Sequence, residues 1–330
     1  MRSTGRRPEG TLGPSSCPGP PLVISSIPPT PAPGEPPTAD VTAVLVNHDS
    51  GGRLPALLDV LDASVRSVVV VDNASSDGSA EASAERPQVT LVRNADNRGF
   101  AAAANQGAAL ARTEWLLFVN PDTRFAPGDP ARLVSGLDDR VATAAALQVD
   151  QHGRPRAETA GYEPTLGRYL VWAVVPARRY RTFGPWLAPP FPDEDFAVDW
   201  VSGAFVAIRR VVFERLGGFD ERFFLYHEDV DFGRRVRRAG YRVIVRPSVP
   251  VYHEVAHGAP ARRIASGLRS IESLSLDFEG ARLRGLGAVL GLGYGLRAIL
   301  GRETTRRMAR AVLPYCRSLI AGRRPMRPPL

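Results

Sequence analysis

VTAVLVNHDSGGRLPALLDVLDASVRSVVVVDNASSDG, residues 41–78, decides the fold. Val41 to Val46 is an apolar, β-branched run that stops at Asn47-His48-Asp49-Ser50-Gly51-Gly52, the pattern of a buried strand feeding a polar loop. Leu54, Leu57, Leu58 and Leu61 follow at helical spacing. Ser67 to Val71 is a second buried strand, stopped by Asp72-Asn73, and Ser76 or Asp77 then caps a helix through Glu85. The pattern continues outward. Val89 to Val92 reads as a third strand, Phe100 to Ala111 as an Ala-rich helix, and Trp115 to Val119 as a fourth strand ending at Asn120-Pro121-Asp122-Thr123. Strand and helix alternating over about eighty residues predict an α/β fold, a doubly wound and mostly parallel sheet. Ligands of such sheets bind beyond the carboxyl ends of the strands, so the polar clusters there converge on one crevice.

Beyond this core the sequence is less regular. Ala142 to Val149, Val198 to Arg209, Tyr241 to Val245 and Val249 to Tyr252 read as strands, and Val211 to Leu216 as a short helix. A helix over Asp229 to Ala239 is closed by Gly240. Tyr169 to Asp195, aromatic and Pro-rich, is expected to be loop. Residues 1–39 hold 11 of the 30 prolines and read as a disordered tail. Three segments result: the tail 1–39, an α/β domain 40–258 with halves 40–135 and 136–258, and a helical segment 259–330. That last segment carries 14 Arg against 4 acidic residues, a net of +10, whereas the whole chain nets +8. The basicity therefore belongs to the C-terminal segment, and the rest is slightly acidic.

Composition excludes several chemistries. Every one of the 42 basic residues is Arg, which removes P-loop, Schiff-base and Ser-Lys mechanisms. Two cysteines, Cys17 and Cys316, make neither a disulfide scaffold nor a Cys-based zinc site. No GxGxxG follows a strand. No stretch reads as a secretory signal, and the longest apolar run, Gly285 to Leu296, falls short of a span. A cytoplasmic, reducing compartment is the expectation.

The remaining polar clusters suggest chemistry. Asp122, at a strand end, is placed to hold a divalent cation through oxygen, with substrate phosphates as further ligands, although Asn-Pro-Asp-Thr also makes a plain turn. Asp72 could accept hydrogen bonds from a nucleobase or ribose, or simply build its loop. In Asn94 to Gly107, Gly99 allows close backbone approach and Arg98 can meet a phosphate; the alternative is an Ala-rich packed helix. Asp220, Glu228, Asp229 and Asp231 cluster beside an aromatic stretch. Asp229 would start a helix, whose dipole keeps a carboxylate ionised as a general base, against a reading of capping and an Asp231–Arg235 pair. His253 follows a strand as a metal or phosphate ligand. His227 and His257 carry less, His227 as a solvated neighbour of the acidic pair.

Together these motifs resemble the inverting nucleotide-sugar glycosyltransferases of family 2, on the GT-A fold. The resemblance runs over residues 41–258, through VLVN (44–47), VVDNASSDG (70–78), NADNRGFAAAANQG (94–107), LFVNPDT (117–123), WVSGA (200–204) and Gly217 to Tyr241. Its nearest branch is bacterial and rhamnosyltransferase-like, in cell-wall polysaccharide assembly. The resemblance implies a donor site at Asn47, Asp72, Asn97, Arg98, Gly99, Asn105, Asn120, Ser202 and Gly203, with Asp72 at the nucleobase. It implies Mg²⁺ or Mn²⁺ at Asp122 and His253, Asn120 standing at the first position of the family's Asp-x-Asp motif. It implies catalysis by the Glu228-Asp229 pair, Asp229 being the base. His48 stands where the family more often has Tyr.

The implied partners are a nucleotide-diphosphate sugar and a glycan or lipid-linked saccharide acceptor. Leu286, Val289, Leu290, Leu296, Ile299 and Leu300 beside Arg297, Arg302, Arg306, Arg307 and Arg310 suggest an anionic membrane surface on the inner face of the plasma membrane, or else a helical pair packed on the body. Competing readings are a sugar-1-phosphate nucleotidylyltransferase, poorly matched by the loop Asn47 to Arg53, and a non-catalytic nucleotide-sugar binding protein. A nucleic-acid binder lacks any recognisable reading motif.

Overall fold

The computed structural model of the protein describes residues 40–84, 86–175, 185–254 and 260–324. The segment 1–39, Glu85 and His257 lie outside the described residues. Strands β1 (Val41–Asn47), β2 (Ser67–Asp72), β3 (Val89–Arg93) and β4 (Trp115–Val119) alternate with helices α1 (Arg53–Leu61), α2 (Glu81–Ala84) and α3 (Phe100–Leu110). Then come β5 (Thr123–Arg124), α4 (Asp129–Val134), β6 (Val141–Val149), β7 (Ala160–Gly161) and α5 (Leu166–Val174). They are followed by β8 (Phe196–Val198), β9 (Trp200–Val201), β10 (Phe205–Arg209), α6 (Arg210–Arg215), α7 (Glu228–Arg238) and β11 (Arg242–His253). Three helices end the described chain: α8 (Pro260–Leu276), α9 (Gly280–Leu300) and α10 (Glu303–Ile320).

Among the described residues the main sheet runs β3-β2-β1-β4-β10-β6-β11-β5, with β8 also on β11. The first four strands are mutually parallel, as the alternating pattern requires. The reversed β10 sits between β4 and β6 and joins this half to the parallel pair β6–β11. Apolar side chains of β1, β2 and β4 pack on α1 across one face. On the other face the small side chains of Ala101, Ala104 and Ala108 bring α3 against Val44 and Phe118.

Several expected elements differ. Val198 to Arg209 is three short strands rather than one. The Asp199 N–H donates to the Gly161 carbonyl (3.0 Å) and the Ser202 N–H to that of Thr159 (3.0 Å), diverting the middle of the run to the small sheet β7–β9. The two strands expected over 241–252 are one, β11, whose register shifts between Arg246 and Pro250. The helix expected from Ser76 to Glu85 shrinks to α2, because Asp77 closes a turn by accepting the Ser79 N–H (3.0 Å). Tyr169 to Asp195 is not all loop. Thr165 caps α5 by accepting the Arg168 N–H (3.2 Å), and Tyr169 and Ala173 are buried.

The C-terminal segment holds three helices rather than a pair. Leu286 and Leu290 of α9 are buried with Val312, Cys316 and Leu319 of α10, and Tyr169 joins the same cluster. Trp172 packs closely over Gly293, where a Cβ would fall 2.7 Å from the indole. Helix α9 is also longer than the apolar run Gly285 to Leu296. By length and composition alone its 21 residues could cross a membrane. The extension is possible because Arg297 turns inward, donating to the carbonyls of Gly293 (2.9 Å) and Trp172 (2.9 Å) with its guanidinium 4.0 Å from the Trp172 ring centre.

Candidate active site

Strand ends and loop chemistry build the site. β4 delivers Asn120 and Asp122, and β11 delivers His253 beside them. His253 Nε2 lies 3.2 Å from an Asp122 carboxylate oxygen. Its Nδ1 faces the Gln148 side-chain oxygen at 2.9 Å. With a carbonyl oxygen there, Nδ1 is the donor, and Nε2 is the nitrogen turned to Asp122. An imidazole nitrogen and a carboxylate oxygen side by side form a pair that a cation could bridge. Neighbouring ligands of an octahedral cation at about 2.1 Å stand about 3 Å apart, so the spacing fits. Among the described residues no cluster of three or more His, Cys, Asp or Glu could hold a metal. The remaining ligands of a cation would therefore have to come from phosphates, water or amides.

Asp229 reaches the same cavity from the first turn of α7. Its carboxylate accepts the Val230 N–H (2.8 Å) and a backbone bond from Gly203. The helix start does not hold this acid at an ordinary value. Burial outweighs those bonds and pushes it up to about 6. Glu228 is more deeply buried, does not line the cavity, and has one carboxylate oxygen without a partner. Burial first, and the Asp229 charge second, push its acid well above the usual range. Burial thus raises both acids, and Asp229 is the one of the two that lines the cavity. Arg234 fixes α7 from behind, bonding Glu163 (2.7 Å) and both carboxylate oxygens of Asp277 (3.0 Å each). Arg235 pairs with Asp231 at 2.7 Å, as its spacing predicts.

The cavity measures about 470 Å³. It gathers Asn120, Asp122, Ser202, Asp229 and His253 of the expected site. None of the other expected donor residues is among the described residues lining the cavity: Asn47 and Asp72 end β1 and β2, Asn97, Arg98 and Gly99 lie in the loop before α3, Asn105 lies within α3, and Gly203 lies between β9 and β10. Asn47 is fully buried, and its amide nitrogen lies within bonding distance of Asp72 (2.9 Å), Ser75 (2.9 Å) and Ser79 (2.8 Å), so its two N–H groups help set the Asp72 carboxylate. Asn97 accepts the Gly99 N–H (2.9 Å) and shapes the loop that leaves Arg98 exposed. Gly203 serves the site through its backbone bond to Asp229. His48 only touches the Asn73 carbonyl (3.0 Å). Asn105 has a different task. Both ends of its amide are used on the Phe219 backbone, at 2.8 and 2.9 Å, which clamps the chain leading to α7.

Gly99 is required by this geometry. Its φ is +83°, and an added Cβ would stand 2.4 Å from the Phe224 carbonyl oxygen, which accepts the Phe100 N–H at 2.7 Å. Gly99→Ala is expected to cost about 3 kcal/mol of stability from strain and overlap together, read as a lowered denaturation midpoint.

Comparison with known proteins identifies the family. The profile described as Glycosyl transferase family 2 matches residues 43–217, and Glycosyl transferase family group 2 matches 190–265. The chain belongs to glycosyl transferase family 2. An N-acetylglucosaminyl-diphospho-decaprenol L-rhamnosyltransferase of Mycobacterium tuberculosis is 30% identical over 251 residues, 69% of this chain and 81% of that protein. The O-antigen biosynthesis protein RfbC of Myxococcus xanthus is 30% identical over 237 residues, 68% of this chain but 18% of that longer protein. A mannosyltransferase of Pyrobaculum calidifontis, solved with GDP-Man and Mn²⁺, shares the fold with a TM-score of 0.50 at 19% identity, covering 87% of this chain and 88% of that one. The fold is therefore GT-A-like and the protein is a glycosyltransferase.

Sequence reading of this family 2 enzyme missed Gln148, Glu158, Tyr169, Trp186, Trp200, Ser266 and Ser270, all of which line the cavity. The aromatic content of 169–200 was the available signal. Nothing marked the two serines, which lie i,i+4 on α8, outside the expected catalytic domain. His227 is not solvated as expected but buried, and it lines the cavity too.

Proposed function

We propose that the protein is a divalent-cation-dependent, inverting glycosyltransferase. It moves L-rhamnose from a nucleoside-diphosphate donor to a saccharide hydroxyl on a lipid-linked acceptor in cell-wall polysaccharide assembly. The observation carrying this reading is the shared cavity, with Asp229 on one element and the Asp122–His253 pair on others. Asp229, ionised above about pH 6, takes the acceptor proton. The acceptor oxygen bonds the anomeric carbon as the bond to the diphosphate breaks, and a single displacement inverts that centre. Asp122 and His253 would hold Mg²⁺ or Mn²⁺, which supplies charge neutralisation for the leaving diphosphate. Asp72, fixed by Asn47, receives the nucleobase; Asn97, Arg98 and Gly99 border the donor, and Asn120 and Ser202 face its sugar end. The rhamnosyl donor and the diphospho-polyprenol acceptor rest on the named activity of the mycobacterial relative.

The test is transfer by purified full-length protein. Nucleotide sugars are paired with an N-acetylglucosaminyl-diphospho-lipid, and the anomeric configuration of the product is read by NMR. A retained configuration, or turnover unaffected by excess chelator, refutes the mechanism.

We also propose a cytoplasmic location with peripheral attachment to an anionic membrane, in a revised form. Leu286 and Leu290 are consumed in helix packing, and Arg297 is bound to backbone carbonyls. What remains outward is Ile299 and Leu300, 71% and 79% exposed, with Leu292, and Leu170 and Val174 on the adjoining α5. Arg302, Arg307 and Arg310 are exposed nearby in sequence. Each such arginine adds about 1 kcal/mol of attraction to an anionic leaflet. Full-length protein should sediment with phosphatidylglycerol vesicles at low salt and lose this in high salt. Replacing Ile299 and Leu300 by Ser should weaken it about tenfold. Equal sedimentation of both proteins, or none with either, removes the membrane role.

A further inference from the structure

The sharpest backbone feature beside the site lies just before Asp229. Tyr226 and His227 both have φ of +69°, the only adjacent non-glycine pair in the left-handed region among the described residues. That conformation is unfavourable for a residue with a side chain and persists only where surrounding contacts over-determine it. On one side those contacts come from α3. The Phe100 N–H donates to the Phe224 carbonyl (2.7 Å), and Asn105 clamps the Phe219 backbone.

On the other side stands α8. Arg269, Ser273 and Asp277 recur every four residues, along one face of α8 and just past its end. Each meets a different point of the same segment. The Arg269 guanidinium lies 4.9 Å from the Phe224 ring centre. The Ser273 hydroxyl donates to the Leu225 carbonyl (2.8 Å). Asp277 accepts from Arg234 of α7 on both carboxylate oxygens (3.0 Å each). All three are shielded from water, Arg269 and Ser273 at 4% exposure each and the Asp277 side chain at 8%. Polar contacts in such surroundings are stronger than at the surface and hold one geometry. The stripe therefore grips the chain at 224 and 225, before the left-handed pair, and at 234, after Asp229. Glu163 also bonds Arg234 (2.7 Å), so α7 keeps a second hold when Asp277 is lost.

We propose that Arg269, Ser273 and Asp277 are positioning residues for Asp229: the α8 stripe fixes the left-handed Tyr226-His227 turn and the first turns of α7, and so aims the carboxylate into the cavity. This rests on the reading of Asp229 as the base. It gives the C-terminal helical segment a part in the chemistry that is separate from membrane attachment.

The test uses the full chain and two readouts. Ser273→Ala and Asp277→Ala each remove one hold. Each should lower kcat at least about tenfold, because small displacements of a reacting group cost rate steeply, while the calorimetric affinity of a nucleoside-diphosphate sugar stays within about twofold. Asp277→Glu keeps the carboxylate and should recover most of the rate. Ser273→Ala gives the same reading if Asp277→Ala does not fold. The second readout needs no turnover. The Asp229 carboxyl, followed by carbon NMR in aspartate-labelled protein and assigned with Asp229→Asn, should titrate at about 6 in the wild type. The titratable groups facing it are His227 and Glu228 beside it and Asp122, Glu158 and His253 around the cavity, and neither alanine variant changes them. A carboxyl released from the clamp gains water and should titrate at least about half a unit lower in the alanine variants. Rates within about twofold of wild type in both alanine variants, or rate and donor affinity falling together, overturn the proposal. If the wild type transfers no sugar from any donor, the transfer reading falls and the titration decides. A downward move then keeps the stripe as the support of Asp229, and an unmoved titration in both variants overturns it.

Discussion

Asp229→Asn is expected to lower turnover by about 10² or more while donor affinity stays within a few-fold. The amide keeps the shape of the carboxylate, and its oxygen can still accept the Val230 N–H at the start of α7. What is lost is the base proposed for the acceptor hydroxyl. Wild-type activity should fall as pH drops through about 6, because burial raises the acid to that value and protonation removes the base. The variant's residual rate should lack that limb. Stability should move the other way. The folded acid sits above the ordinary aspartate value of 3.8, so the ionised form costs the fold at pH above both values. Asn removes that cost. The variant should therefore be more stable by about 1–2 kcal/mol near pH 8, with the gain vanishing as pH falls through 6 toward 4. Parallel thermal melts at several pH values check the sign. Wild-type turnover in the variant would move the base to another carboxylate.

Asp122→Ala should abolish measurable turnover and uncouple donor binding from the cation. Its carboxylate stands 3.2 Å from His253 Nε2, and a site with two protein ligands leans on the phosphates of its substrate. In the wild type, calorimetry should show weak Mn²⁺ binding alone and at least tenfold tighter donor binding when Mn²⁺ is present. In the variant donor affinity should no longer depend on Mn²⁺. Gln148→Leu, which removes the partner of His253 Nδ1, should give a milder form of the same loss, about 10- to 100-fold in metal affinity. Full activity of Asp122→Ala would remove the cation from this position.

The first half of the sheet was legible because its signals are local. Runs such as Val41 to Val46 and Ser67 to Val71 are buried on both faces, and a parallel strand of that kind is written in consecutive residues. The polar residues that end each strand then fall at one edge of the sheet by topology alone, which is why Asn47, Asp72 and Asn120 could be named together. Asn105 shows the limit. It lies within a motif, but whether its amide faces a ligand or the Phe219 backbone depends on a segment more than a hundred residues away.

The sequence by itself determined the α/β class, the parallel first half, the C-terminal placement of the positive charge and the positions of Asp122, Asp229 and His253. Each follows from hydrophobic period, composition or a short motif, and none needs a distant partner. Tertiary structure decided the rest. It set the raised acid of Asp229, which comes from burial rather than from its place on the helix. It buried His227, turned Arg297 inward and folded Tyr169 into a helix. It brought Ser266 and Ser270 of the C-terminal segment to the catalytic cavity, with Arg234 binding Asp277 between α8 and α9. Solvent exclusion and contacts between residues far apart in sequence produce these features, and a linear pattern records neither.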